Sequence, residues 1–283
     1  QGNPTKAAEG FARGKGVSVA DLQVREMDGG RYAAAVVFEK GRPAGEILAE
    51  ALAGLIAGIR FDKSMRWNTS NVAFSRPIRW LLALLGEEVV PFQYAGYNSG
   101  RQTRGLRFAT PEAFDVANPA DYFARVRAQG IVLQREERRQ LIAEQVRRIM
   151  TQSGASERMD EGLLDEVTNL VERPTALRGA FEREQLNLPP EVLISVMKKH
   201  QRYFPVYSHS GKLMPFFVAV RNGDDQHLQT VADGNEQVIR ARFADASFFI
   251  SEDLKHKLSD FQPKLSTLMF QTRLGTMLDK TRR

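Results

Sequence analysis

The sequence predicts an α+β fold, with mixed sheets and packed helices followed by the start of an all-helical domain. Three observations carry that prediction. Apolar residues recur at helical spacing in separate segments, as in Val192, Leu193, Val196 and Met197, or Ile239, Phe243, Ala246, Ile250 and Leu254. Two strand–turn–strand patterns, LQVREM–DGG–RYAAAVV and FPVY–SHSG–KLMPFFVAV, place glycine where a hairpin turn needs positive φ. No internal repeat or low-complexity stretch interrupts them.

Residues 1–62 read as helix, hairpin, helix. Asp28-Gly29-Gly30 supplies the turn, and Arg42-Pro43 opens an Ala/Leu/Ile helix that ends near Gly58. Residues 63–258 read as an α+β core. It opens with the strand-rich runs IRWLLALLG and VVPFQYAGY, which turn at Gly86-Glu87-Glu88. Helices follow at Pro119–Gln129 and Arg135–Ser153, the second with its charges (Arg135, Glu136, Glu137, Arg138, Arg139) on a solvated face. A linker at 154–156 precedes a helix over Asp160–Asn169. The second hairpin turns at Ser210-Gly211, and a long amphipathic helix holds Ile239 to Leu254, with Asn235 as a candidate cap. In residues 259–283 a last helix starts near Gln262 and runs to the end.

A chain of 283 residues is long enough for about two domains with real cores. No apolar run approaches the roughly 20 residues of a membrane span, since the longest, near Ile78–Leu85, is broken by Arg79. The N-terminus has no apolar core and so is not a signal peptide. It also lacks a starting methionine and reads as a piece of a longer chain. The absence of cysteine excludes disulfides and thiolate zinc sites and fits a reducing, cytoplasmic setting.

The net charge is +6, and most of it sits in one sixth of the chain. Between Arg60 and Arg107 there are eight basic residues, including Arg76, Arg79, Arg101 and Arg104, against the acids Asp62, Glu87 and Glu88. Trp67, Phe74, Trp80, Phe92, Tyr94 and Tyr97 are interleaved, a footprint that suits RNA. Strand alternation, with aromatics inside and arginines in solvent, produces the same pattern, and both readings stay open.

The most informative stretch is LPPEVLISVMKKHQRYFPV, Leu188 to Val206. Pro189-Pro190 and Glu191 suit a first helical turn, where a missing N–H costs nothing and an acid meets the positive dipole end. Lys198, Lys199, His200 and Arg202 crowd the last turn before a strand-like run. Cations there either offset the negative dipole end or face a polyanion, and spacing alone does not separate the two. On the long helix, Arg240 falls opposite the Ile239–Phe243–Ile250 stripe, while Arg242, Asp245 and Glu252 stand close enough for local ion pairs.

The wording of these segments resembles the β subunit family of bacterial tetrameric glycyl-tRNA synthetase. The resemblance rests on the stretch just quoted and on GNEQVIRARFADASFFISEDLK (Gly234–Lys255). It extends to RPIRWLLALLGEEVVPF (Arg76–Phe92), SGRQTRGLRF (Ser99–Phe108), EVTNLVERPTALRGAF (Glu166–Phe181) and FQTRLGTMLDK (Phe270–Lys280). It implies a ligase subunit that binds glycine tRNA and assembles as α2β2 with an α subunit. ATP, Mg²⁺ and glycine are expected in that α subunit, and no cofactor in this chain. The cationic side chains expected to neutralise tRNA phosphates are Arg76, Arg79, Arg101, Arg104, Lys198, Lys199, Arg202 and Arg240; no catalytic residue is expected, so this stretch alone is expected to be inactive. Residues 259–283 resemble the lead-in to an HD-like helical domain, and the middle resembles, by fold analogy, an editing-associated domain of the phenylalanyl enzyme's β subunit. A hydrolytic editing domain with polar groups near Thr168-Asn169 or Lys198–Gln201, and a pure assembly scaffold, stand as alternatives.

Other motifs carry less. Gly10-x-x-x-Gly14-Lys15-Gly16 is one residue short of a phosphate-binding loop and lacks its Ser/Thr. Ser195-x-x-Lys198 lies mid-helix without the companion motifs of penicillin-recognising enzymes. His200, His209, His227 and His256 have no metal-binding spacing. Asp160, Glu161, Asp165 and Glu166 read as a solvated acidic face, and Asp224-Asp225 as a loop after a strand.

Overall fold

In the computed structural model, residues 5–27, 29–38, 40–107 and 112–282 are described, so Asp28 of the first expected turn and Phe108 lie outside them. The chain falls into two compact units, Gln1–Gly100 and Arg101–Arg283.

In the first unit, α1 (Lys6–Lys15) is capped by Thr5, whose hydroxyl accepts from the Ala8 amide, and stops at Gly16 in the left-handed region. The expected hairpin is formed by β1 (Gln23–Met27) and β2 (Gly30–Ala34), paired from Gln23↔Ala34 to Met27↔Gly30. The Ala/Leu/Ile helix is α2 (Ala44–Gly58), with Pro43 at its N-cap. The strand-rich region is a set of short pairings. β3 (Leu81–Leu82) runs into a small hairpin of β4 (Leu84–Leu85) and β5 (Glu88–Val89), turned at Gly86. β6 (Gln93–Tyr94) and β7 (Tyr97–Gly100) are antiparallel, and β7 pairs parallel with β3.

The second unit opens with the antiparallel pair β8 (Gln102–Arg104) and β9 (Ala113–Asp115), then α3 (Pro119–Ala128) and α4 (Arg135–Gln152). Asn118 caps α3 through the Asp121 amide, and Asp160 caps α5 (Glu161–Leu170) through the Leu163 amide at 2.8 Å. The central sheet is antiparallel, in the order β10 (Pro174–Ala180), β12 (Leu213–Asn222), β11 (Phe204–Tyr207). Because strand side chains alternate, β10 and β12 each feed two cores. Val218 joins Phe204 and Val206 in packing with Ile142, Val146 and Met150 of α4 and with Leu164 and Val167 of α5. Phe217 and Ala219 face the other way. They share a cluster with Leu177, Leu193, Met197 and Tyr203 and with Ile239 and Phe243 of α7 (Leu228–Leu254).

The structure departs from the sequence reading in three places. The LPPE helix is not continuous: α6 (Pro190–Ser195) passes into a π-turn at Val196–Gln201, which ends with Arg202 at φ 57° and the Tyr203 amide bonded to the Met197 carbonyl. α7 starts at Leu228, so Asn235 lies inside the helix and is not its cap. After α8 (Leu258–Phe261), the helix expected from Gln262 is a 3₁₀ turn over Gln262–Thr267, a small hairpin of β13 (Met269–Gln271) and β14 (Gly275–Thr276), and α9 (Met277–Thr281). Gly275, at φ 84°, holds at the start of β14 a left-handed conformation that a continuous helix excludes. The C-terminal part is nonetheless rich in helix, as expected. No described helix is long and apolar enough to cross a membrane.

Candidate nucleic-acid interface

The π-turn decides where the cations of the LPPE stretch go. Met197 is fully buried beneath it and anchors it, while the extra residue per turn spreads Lys198, Lys199 and His200 over its outer side. Lys199 and His200 are exposed. Lys198 and Arg202 meet the acidic side of α5: the Lys198 ammonium contacts Asp160, and Arg202 Nε donates to Glu166 at 2.7 Å. Arg202 also donates to the Lys199 carbonyl, which holds its guanidinium across the end of the turn.

The rest of that acidic side is occupied from α4. Asp165 accepts from Arg139 Nε at 2.8 Å and from Arg135 Nη2 at 3.0 Å, and Glu161 from Arg139 Nη2 at 2.5 Å. The acids read as merely solvated are therefore each paired, and so are two of the three cations predicted to follow Met197. On α7, Arg240 is exposed as expected, with Nε 2.7 Å from a Glu182 carboxylate oxygen. Glu252 pairs with Lys255.

These contacts shape the protonation of the acids. The Lys198 ammonium, helped by the Leu163 amide, holds the Asp160 carboxyl below its ordinary range. The Arg139 guanidinium does the same for Asp165. Glu182 is lowered first by its own backbone amide and then by Arg240. All these pairs reach solvent, with the side chains of Lys198 and Asp160 34% and 36% exposed and those of Arg202 and Glu166 41% and 46%. Exposed pairs of this kind are screened by solvent and contribute little to stability. They order the cations without locking them.

The basic stretch around Arg60–Arg107 divides between the two units. Arg76 and Arg79 are exposed in the first, on the segment leading into β3, beside Trp80 at 43% exposure. Arg101 and Arg104 belong to the second, where Arg101 Nη1 donates to the Val116 carbonyl at 3.4 Å and Arg104 is exposed. Of the six interleaved aromatics only Trp80 is exposed; Phe74, for one, packs edge-on against Phe61 with ring centroids 4.7 Å apart. The other five are half-buried, and of these Tyr94 and Tyr97 lie in strands. Tyr203, at the end of the π-turn, is held in the core. Its ring lies on Phe217 at 4.5 Å, its hydroxyl donates to Asn235 Oδ1 at 2.7 Å, and burial pushes its phenol up to about 12.

Two of the polar groups weighed for hydrolysis are engaged locally, Thr168 in its own helix and Lys198 on Asp160. The Thr168 hydroxyl is buried and donates to the Leu164 carbonyl at 2.7 Å, as helix-interior threonines do. An open cleft of about 480 Å³ lies instead after β12, lined by residues that include Arg221, Asn222, Asp224 and His227. Sequence reasoning saw there only a loop. Among the described residues no group of three or more His, Cys, Asp or Glu is placed to hold a metal ion.

Comparison with known proteins bears on this arrangement. The family model described as glycyl-tRNA synthetase beta subunit matches residues 1–283. Curated relatives named glycine–tRNA ligase beta subunit are 48% identical in Desulforamulus reducens, 47% in Moorella thermoacetica and 43% in Bacillus subtilis, each over 282 residues. These alignments cover 100% of this chain and 41% of each relative. The chain thus spans about two fifths of the length of the relatives it matches. With a family model matched from end to end, and several relatives above two-fifths identity, the chain belongs to the glycyl-tRNA synthetase beta subunit family.

Proposed function

We propose that this chain binds and positions glycine tRNA within a glycine–tRNA ligase, and supports assembly with an α subunit that performs the ATP- and Mg²⁺-dependent glycylation in an α2β2 enzyme of the cytoplasm. The observation that carries the reading is the exposed Arg76–Arg79–Trp80 segment, where two unburied guanidiniums precede an exposed indole. Arg104 and Lys199 add exposed charge elsewhere, and Lys198, Arg202 and Arg240 add charge held in exchangeable pairs. Cations of this kind neutralise phosphates, and a solvent-facing indole stacks on an unpaired base. Holding the acceptor end of the tRNA toward another subunit raises its effective concentration at the reacting centre, with no chemistry by this chain.

Binding to glycine tRNA and to an unrelated tRNA across a salt series tests this. The logarithm of the affinity should fall against the logarithm of salt with a slope of about −0.9 for each duplex phosphate neutralised, and several phosphates are expected. Arg76→Ala combined with Arg79→Ala should flatten the slope by about two. No detectable binding at low salt would leave this chain as a scaffold, with tRNA contact elsewhere in the ligase.

A further inference from the structure

Three of the cations assigned to RNA above already have a negative partner: Asp160 for Lys198, Glu166 for Arg202 and Glu182 for Arg240. The three acids come from α5, or the turn before it, and from the loop after β10. Nothing about the fold requires their charge. Asp160 also caps α5, a task asparagine performs equally well, and Glu166 and Glu182 are about half exposed. A carboxylate at 2.7 Å from a guanidinium nitrogen occupies the position that a phosphate oxygen would take.

We infer that Asp160, Glu166 and Glu182 are specificity-determining residues that stand in for RNA phosphates. They hold Lys198, Arg202 and Arg240 in place and give them up only to a ligand that supplies several phosphates in matching positions. The inference rests on the RNA-binding reading above. Each exchange trades one exposed ion pair for another, so it costs little when the phosphate is well placed. A polyanion that reaches only one cation gains nothing by displacing its acid. Discrimination thus arises from the requirement to satisfy several sites at once, with repulsion from the unpaired acids acting against the wrong ligand. Asp165 and Glu161 are tied to Arg135 and Arg139 of α4, so they are already engaged within the fold.

The test compares a triple variant, Asp160→Asn, Glu166→Gln and Glu182→Gln, with a charge-matched control, Glu144→Gln, Glu184→Gln and Glu191→Gln. The control sites are exposed and form no ion pair among the described residues. The triple variant should bind glycine tRNA about three- to tenfold tighter and gain more for an unrelated tRNA, so discrimination falls; its salt slope should steepen by about two to three. Glu166→Gln alone, which touches no cap, should move in the same direction. If the wild-type chain binds and the two variants gain equally, the inference is overturned and the RNA reading stands. If the wild-type chain shows no salt-dependent binding, both fall together.

Discussion

The two units bury their apolar residues to different degrees. Among the described residues of Gln1–Gly100, the fully buried apolar side chains are Ala12, Val90 and Ala95, none of them large. From Arg101 onward two clusters fill both faces of one three-stranded sheet, with Phe204, Phe217, Phe243, Ile142 and Met150 all under 2% exposed. The contrast is sharpest in helices. α2 is apolar apart from Glu46 and Glu50, yet Ile47 is 44% and Leu55 64% exposed and no residue of it is buried. α7 is longer and more polar, yet it buries Ala232, Ile239 and Phe243 along one line. Hydrophobicity sets how much a helix can bury; the presence of a facing sheet sets how much it does.

Substitution should expose this contrast most strongly at Phe217. Phe217→Ala removes a ring that touches Tyr203 and fills the floor of one cluster, so a loss of about 3–5 kcal/mol is expected in urea unfolding. Leu55→Ala in α2 should fall within about 0.5 kcal/mol, because the side chain is already in solvent. Equal losses would mean that α2 is buried in the folded protein, and the contrast between the units would disappear.

A smaller effect probes why the sheet packs so closely. A Cβ at Gly179 of β10 would lie 2.2 Å from the tip of the Phe217 ring, its partner across the ladder. Gly179→Ala should therefore cost about 1–3 kcal/mol by overpacking, although its φ is ordinary for any residue. Pairing it with Phe217→Leu should recover part of the loss in a double-mutant cycle, since the two sites share one space.

How legible this was depended on range. Helices α3, α4 and α5 fall within a residue or two of their sequence reading because apolar spacing, and in α3 and α5 the caps Asn118 and Asp160, are local signals. The hairpins were readable for the same reason, with Gly29 and Gly211 in the left-handed region their turns need. The π-turn was not, because its cause is tertiary: Met197 reaches the core while Tyr203 turns in to stack on Phe217. Likewise the cations after Met197 and the acids of α5 were both visible as clusters. Their pairing spans 36 to 38 residues, and no periodicity reports such a contact. Asn235 read as a cap because its type suits one; the structure gives it the Tyr203 hydroxyl instead.

That bond supports a prediction specific to the second unit. The Tyr203 phenol is raised from its ordinary value to about 12 by burial, with no compensating cation among the causes. The folded chain therefore holds the phenolic proton more tightly than the unfolded chain, whose tyrosines titrate near 10. Stability from this group is complete below about pH 10 and is lost as pH rises from there toward the folded value near 12. Tyr203→Phe keeps the ring on Phe217 but leaves Asn235 Oδ1 without its donor, a loss of about 0.5–1.5 kcal/mol near neutrality. The variant should be less stable than wild type at pH 8, and the gap should narrow as pH climbs past 10, because only the wild type has a proton to lose there. A gap that stayed constant up to pH 11 would mean that the phenol reaches solvent, and that this side of the sheet is no better sealed than α2.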